Sequence, residues 1–187
     1  MLKPLPTLTP QVPGCRPTLP HRPLVKNYMA DFIIQSLPKK EFENLFSLND
    51  TELKKQGIVR MTADTKPGFP CRVSLQDADI GDEVMLLPYA FHQTQSPYRA
   101  SGPVFVRKDA ETAQLESNQI PLMLQHRLLS VRSYDADGMM KGSTVIEGKE
   151  LAEHLSTIFD NINISYIHIH NAKAGCYNCV AKRAVIG

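Results

Sequence analysis

The stretch Arg127–Ile146, RLLSVRSYDADGMMKGSTVI, decides the fold. Arg127 to Tyr134 reads as a strand. Asp137-Gly138 is a tight-turn signal, because the glycine accepts the positive φ that short hairpin turns need. The chain then folds back on a second strand, Ser143 to Ile146. A connection this short pairs its strands antiparallel, since a parallel pair needs a crossover of about a dozen residues or more.

Working outward from this hairpin, strands dominate. Phe32 to Gln35, Ile58 to Met61, Cys71 to Leu75, Glu83 to Tyr89, Pro103 to Arg107 and Ile164 to Asn171 read as strands. Helices are fewer. Pro38 suits the first turn of one running to about Leu48, with Phe42, Leu45 and Phe46 on one face. Asn49 with Glu52 three residues on resembles a capping box for a short helix that Gly57 stops. Pro121 opens a short helix through Leu122, Met123 and Leu124. Gly148 to Asp160 is the clearest helix, with Leu151, Leu155, Ile158 and Phe159 at helical spacing. Most neighbouring strands are joined too tightly for helical crossovers. The expected architecture is therefore α+β, a mainly antiparallel sheet with a few short helices, in a single domain over 31–187.

Residues 1–30 differ in composition. Seven of the 14 prolines fall there, with Lys3, Arg16, Arg22 and Lys26 and no acid. Proline removes donors and blocks helix, so this reads as a disordered tail. Met29, followed by Ala30, lies at the seam and is the expected true start of the protein. The overall charge is +2, so the other 157 residues sum to −2. A slightly acidic body argues against nucleic acid as a partner, because phosphate binding needs a concentrated basic face. No apolar run reaches about 18 residues, so no membrane span is expected. With four cysteines and no secretory signal, a cytoplasmic protein with reduced thiols is expected. Nothing in the sequence specifies the oligomeric state.

The chemistry-bearing residues concentrate near the C-terminus, in Ile167–Cys179, IHIHNAKAGCYNC. On a strand, Tyr166, His168 and His170 share one face and Ile167 and Ile169 the other. The isoleucines suit a core, so the histidines should face a cleft or a second layer. Gly175 lets the loop turn back, which would bring Cys176 and Cys179 toward them. His168, His170, Cys176 and Cys179 would then supply two nitrogens and two sulfurs for zinc. The spacing counts against zinc, because structural sites usually pair ligands from two separated knuckles. A redox reading sets Cys-x-x-Cys before a short helix from Val180, but no βαβ framework precedes it. Two rigid loops add cations: KPGFPCR, Lys66–Arg72, and SPYRASGP, Ser96–Pro103, with Tyr98 and Arg99. Asp135–Gly138 fails as a calcium loop, because Met140 stands where that loop needs glycine.

KPGFPCRVSLQDADIGDEVMLL, SPYRASGPVFVR, RSYDADGMM and IHIHNAKAGCY, in that order, resemble a bacterial family of domains of unknown function, number 1203. The resemblance runs from about residue 31 to residue 183. It implies no activity and no catalytic residue. His168, His170, Asn171, Gly175, Cys176 and Tyr177 match the closing motif of that family.

The first functional expectation is a binding domain for a small polar or anionic ligand. Arg72, Tyr98, Arg99, His168, His170 and Asn171 would line one cleft, with the arginines pairing with the anion and the histidines orienting it. The second is a thiol-dependent enzyme using Cys176 with His170 as its base. The third is a zinc-stabilised structural protein.

Overall fold

The computed structural model describes residues 30–184. The expectations for the proline-rich segment and for the start at Met29 lie outside the described residues.

Two antiparallel sheets form the framework. The larger joins β1 (Phe32–Gln35), β8 (Tyr177–Arg183), β7 (Tyr166–Asn171), β5 (Leu128–Tyr134) and β6 (Met140–Glu147), in that spatial order. The smaller joins β2 (Val59–Thr62), β3 (Glu83–His92) and β4 (Ala100–Arg107). Three short helices accompany them: α1 (Asp50–Lys55), α2 (Leu122–Gln125) and α3 (Leu151–Phe159). The chain is thus α+β with mainly antiparallel pairing, as its tight connections require.

The deciding hairpin forms as read. Leu129 lies opposite Ile146 and Val131 opposite Thr144. Asp135 Oδ1 accepts from the backbone amides of Asp137 (3.0 Å) and Met139 (2.9 Å), which closes the turn. Gly138 has φ +76°, and a Cβ there would lie 2.3 Å from Thr94 Oγ1, so both backbone and space demand glycine. The capping box also forms. Asn49 Oδ1 accepts from the Glu52 amide at 3.0 Å, and Glu52 Oε2 accepts from the Asn49 amide at 2.9 Å.

Three elements differ from the sequence reading. The helix expected over 38–48 is two 3₁₀ turns, Lys39–Glu41 and Glu43–Ser47, separated by Phe42 at φ −121°. Phe42 is buried and Leu45 and Phe46 are half-buried against the small sheet, so tertiary contact outweighs helical continuity. The strand expected over Cys71–Leu75 is a turn. The Leu75 amide donates to the Cys71 carbonyl at 3.0 Å, and Leu75 takes φ +52°. The helix expected from Val180 is strand β8, which pairs with β7 on one side and β1 on the other.

The larger sheet separates two environments. On one face, Ile167, Ile169, Val131, Leu129, Cys179 and Ala181 are buried with Leu151, Leu155 and Phe159 of α3. The small sheet covers the other face. Met85, Leu87, Val104 and Val106 belong to a second apolar cluster, which reaches the large sheet at Tyr177.

Candidate functional site

The face of β7 opposite the apolar core carries Tyr166, His168 and His170, as alternation requires. Cross-strand pairing extends the set: Tyr134 lies opposite Tyr166, Arg132 opposite His168 and Ser130 opposite His170. Two bulges complete it. On β8, Ile169 pairs with Cys179 while the next residue, His170, pairs with Tyr177, so Asn178 is an extra residue. That bulge turns Tyr177 to the histidine side and leaves Cys179 beside Ile169. In the small sheet, Tyr89 pairs with Gly102 and His92 with Ala100, so Ala90 and Phe91 together oppose Ser101. Phe91 and His92 both reach the layer.

The result is a stack of rings between the sheets. His168 lies with its ring centre 4.8 Å from that of His92, 5.0 Å from Tyr134 and 5.2 Å from Tyr177. Phe91 lies 5.2 Å from His170 and stacks parallel on Tyr177 at 5.0 Å.

Hydrogen bonds settle two tautomers. His92 Nδ1 meets the Tyr98 carbonyl at 2.7 Å, so that nitrogen donates, and Nε2 accepts from the Tyr166 hydroxyl at 2.8 Å. His170 Nδ1 donates to the Gly175 carbonyl at 2.9 Å, which leaves Nε2 as a lone-pair acceptor. Among the described residues, His170 Nε2 and His168 Nδ1 are buried without a partner. Burial lowers the His168 pKa to about 3, with His92, His170 and Arg132 adding to the effect. Burial lowers that of His170 to about 4 against the opposing Gly175 bond, and Arg132, Arg72 and His92 again push downward. Both imidazoles are neutral at pH 7.

Two arginines flank the layer. Arg72 is buried. Its Nε donates to the Tyr177 carbonyl at 2.8 Å, and Nη1 donates to the Pro70 carbonyl. Burial lowers its pKa to about 10, with the thiols of Cys176 and Cys71 opposing, so it remains a cation. Arg132 is half-buried, and its Nε donates to Ser130 Oγ at 3.2 Å. Among the described residues, neither arginine has a carboxylate partner.

The other expected site residues are spread out. Tyr98 is exposed at the His92 end, its ring 6.2 Å from Tyr134. Arg99 is exposed, its amide bonded to the Ser96 carbonyl at 3.1 Å. Arg72 stands at the other end, beside Tyr177. Asn171 Oδ1 accepts from Asn178 Nδ2 at 2.8 Å, and its backbone closes the β7–β8 turn through Cys176 and Gly175. Cys176 is half-buried in that turn. Cys179 is fully buried on the core side, where burial raises its pKa to about 12. The four residues considered for zinc are therefore divided between two faces of the sheet. Among the described residues, no three His, Cys, Asp or Glu side chains converge to hold a metal ion. Sequence reasoning missed Phe91, His92 and Arg132. The alternation of Ser130, Arg132 and Tyr134 was a usable signal, but pairing with β7 had to be known.

An α+β domain with a ring-lined layer between two sheets is the class this geometry defines. Residues 68–183 match the family described as "Protein of unknown function (DUF1203)", and the chain belongs to that family. No curated protein matches the chain, and no solved structure does. Among the described residues, no helix is long and apolar enough to cross a membrane.

Proposed function

We propose that the domain binds a small anion that also carries a hydroxyl group, at the Arg132 side of the histidine layer. One observation carries this reading: a guanidinium without a carboxylate partner stands beside two neutral imidazoles with open valences. Arg132 would take the anion through paired N–H donors. His170 Nε2, an acceptor without a donor, would take the ligand hydroxyl. Leaving such a nitrogen buried and unmade costs about 1–3 kcal/mol, which ligand binding would recover. The Phe91 ring lies edge-on to His170, with ring centres 5.2 Å apart, and borders the proposed site. Among the described residues, Cys71, Cys176 and Cys179 form no disulfide, which suits a reducing compartment, and the cytoplasm is the proposed location.

Calorimetric titration with glycolate and with acetate tests this, with the imidazole NMR signals of His168 and His170 followed in parallel. Glycolate should bind more tightly than acetate, because only glycolate offers the hydroxyl. Arg132→Gln should weaken glycolate about tenfold, the cost of one charge-assisted pair. If neither anion moves the two imidazole signals, the reading fails.

A second reading keeps Cys176 as a nucleophile or redox thiol. It is favoured by Arg72, a buried cation that the Cys176 thiol stabilises more than any other neighbouring group does. The low pKa of His170 makes it a poor base, so the cation, not the imidazole, would activate the sulfur. Alkylation by iodoacetamide at pH 7, located by mass spectrometry, checks it. A rate at Cys176 no faster than that of free cysteine ends this reading.

A further inference from the structure

A cavity of about 580 Å³ opens between the Lys66–Asp77 loop and the Leu115–His126 segment. None of its lining residues belongs to the histidine layer. Its volume lies in the range of small-molecule sites, roughly 300–1,000 Å³. Its accessible apolar lining is Leu115, Ile120 and Leu122. Donors border the cavity as well. Among the described residues, Ser74 Oγ is buried there without a hydrogen-bond partner. Lys66 lies at the cavity and, among the described residues, is held only by a solvated pair with Asp79 at 2.5 Å. Solvated pairs of this kind exchange partners at little cost.

Among the described residues, the single carboxylate in the lining is already committed. Asp77 takes both terminal nitrogens of Arg127, through Oδ2 at 3.0 Å and through Oδ1, and lies 3.3 Å from His126 Nε2. Its charge is neutralised where it stands. Beside the apolar side chains this leaves a hydroxyl without a partner and an ammonium held by an exchangeable surface pair. That combination is complementary to a ligand with an apolar body and one anionic head.

We propose that this cavity is a second ligand site, for an acyl-chain carboxylate. The chain lies along Leu115, Ile120 and Leu122. The carboxylate accepts from Ser74 Oγ and from Lys66 Nζ. Leu75 supports the arrangement: its left-handed backbone, φ +52°, turns the loop so that Ser74 and Gln76 both border the cavity. Leucine rarely takes this conformation, and the turn persists because the Leu75 side chain is buried in the core. This site is independent of the anion site at Arg132.

The probe is octanoate, titrated calorimetrically into the full chain, with octan-1-ol and octylammonium compared. Octanoate should give saturable binding at one site and the other two should bind at least about tenfold more weakly, the difference made by one charge-assisted contact. Ile120→Trp, which fills the cavity, should abolish octanoate binding with the circular dichroism spectrum unchanged. Lys66→Gln, on an exposed side chain, should weaken octanoate about tenfold and leave octan-1-ol unaffected. Arg132→Gln should leave octanoate binding unchanged, which separates this site from the other. The proposal is overturned by any of three results. These are no saturable heat with octanoate, equal binding of octan-1-ol or octylammonium, or full octanoate affinity in Lys66→Gln. Should Ile120→Trp not fold, Lys66→Gln decides alone.

Discussion

The two faces of β7 are built from adjacent residues and obey different rules. Ile167 and Ile169 face α3 in an apolar cluster whose members need no partner. His168 and His170, one residue away in each case, face the small sheet in a layer where every nitrogen and hydroxyl requires one. The apolar face is held by burial, worth about 1.5–3 kcal/mol for each large side chain. The polar face buries both imidazoles but leaves two of their nitrogens unmade among the described residues. One sheet thus has a face that holds the fold together and a face that spends stability on open hydrogen-bonding valences. Buried polar groups without partners are the features to examine first when seeking a ligand.

The largest effect expected from breaking this contrast is on the apolar face. Phe159 is fully buried beneath the large sheet. Phe159→Ala should lower unfolding free energy by about 3–5 kcal/mol in urea denaturation, because the cavity left cannot fully collapse. A loss below about 1 kcal/mol would show that α3 is not essential to that core.

The next effect distinguishes the polar face by pH. His168 and His170 have folded pKa values of about 3 and about 4, below the ordinary 6.5. The unfolded chain therefore binds more protons between these limits, and stability must rise with pH across that window. Their contribution is complete above pH 6.5 and falls away as pH drops toward 4. Each imidazole costs about 1.4 kcal/mol per pH unit below 6.5. Urea midpoints at pH 7.5, 6 and 5 should fall accordingly. His168→Phe should about halve the slope, while stability at pH 7.5 stays within roughly 1.5 kcal/mol, since an aromatic ring of similar shape replaces an unmade nitrogen. An unchanged slope in that variant would mean that other groups govern the acid response.

The smallest effect lies on the surface, beyond both faces. Asn49→Ala removes the cap of α1, the helix that carries buried Leu53 into the small-sheet cluster. A loss of about 1 kcal/mol is expected, with the acid slope unchanged. A steeper slope in this variant would link α1 to the histidine layer.

What sequence alone determined here is local. The Asp137-Gly138 turn, the Asn49–Glu52 box and the alternation of isoleucine with histidine on β7 each depend on residues within a few positions of one another. Their physical causes, a positive φ, an unpaired amide and a two-residue period, act through the backbone itself. Tertiary structure decided everything that depends on register between distant segments. Strand β8 exists because Phe32 and Arg183 pair at one edge and Ile169 and Cys179 at the other. Residues 38–48 form 3₁₀ turns because Phe42, Leu45 and Phe46 dock on a sheet made elsewhere. Most of all, one extra residue at Asn178 sends Tyr177 to the histidines and Cys179 to the core. Side chains alternate with period two, so a single inserted residue exchanges the faces of all that follow, and no count of spacings along one strand reveals it. Arg132 and His92 join the site for the same reason. Each sits on a different strand, and only the pairing of those strands and the packing of the two sheets bring them to His168.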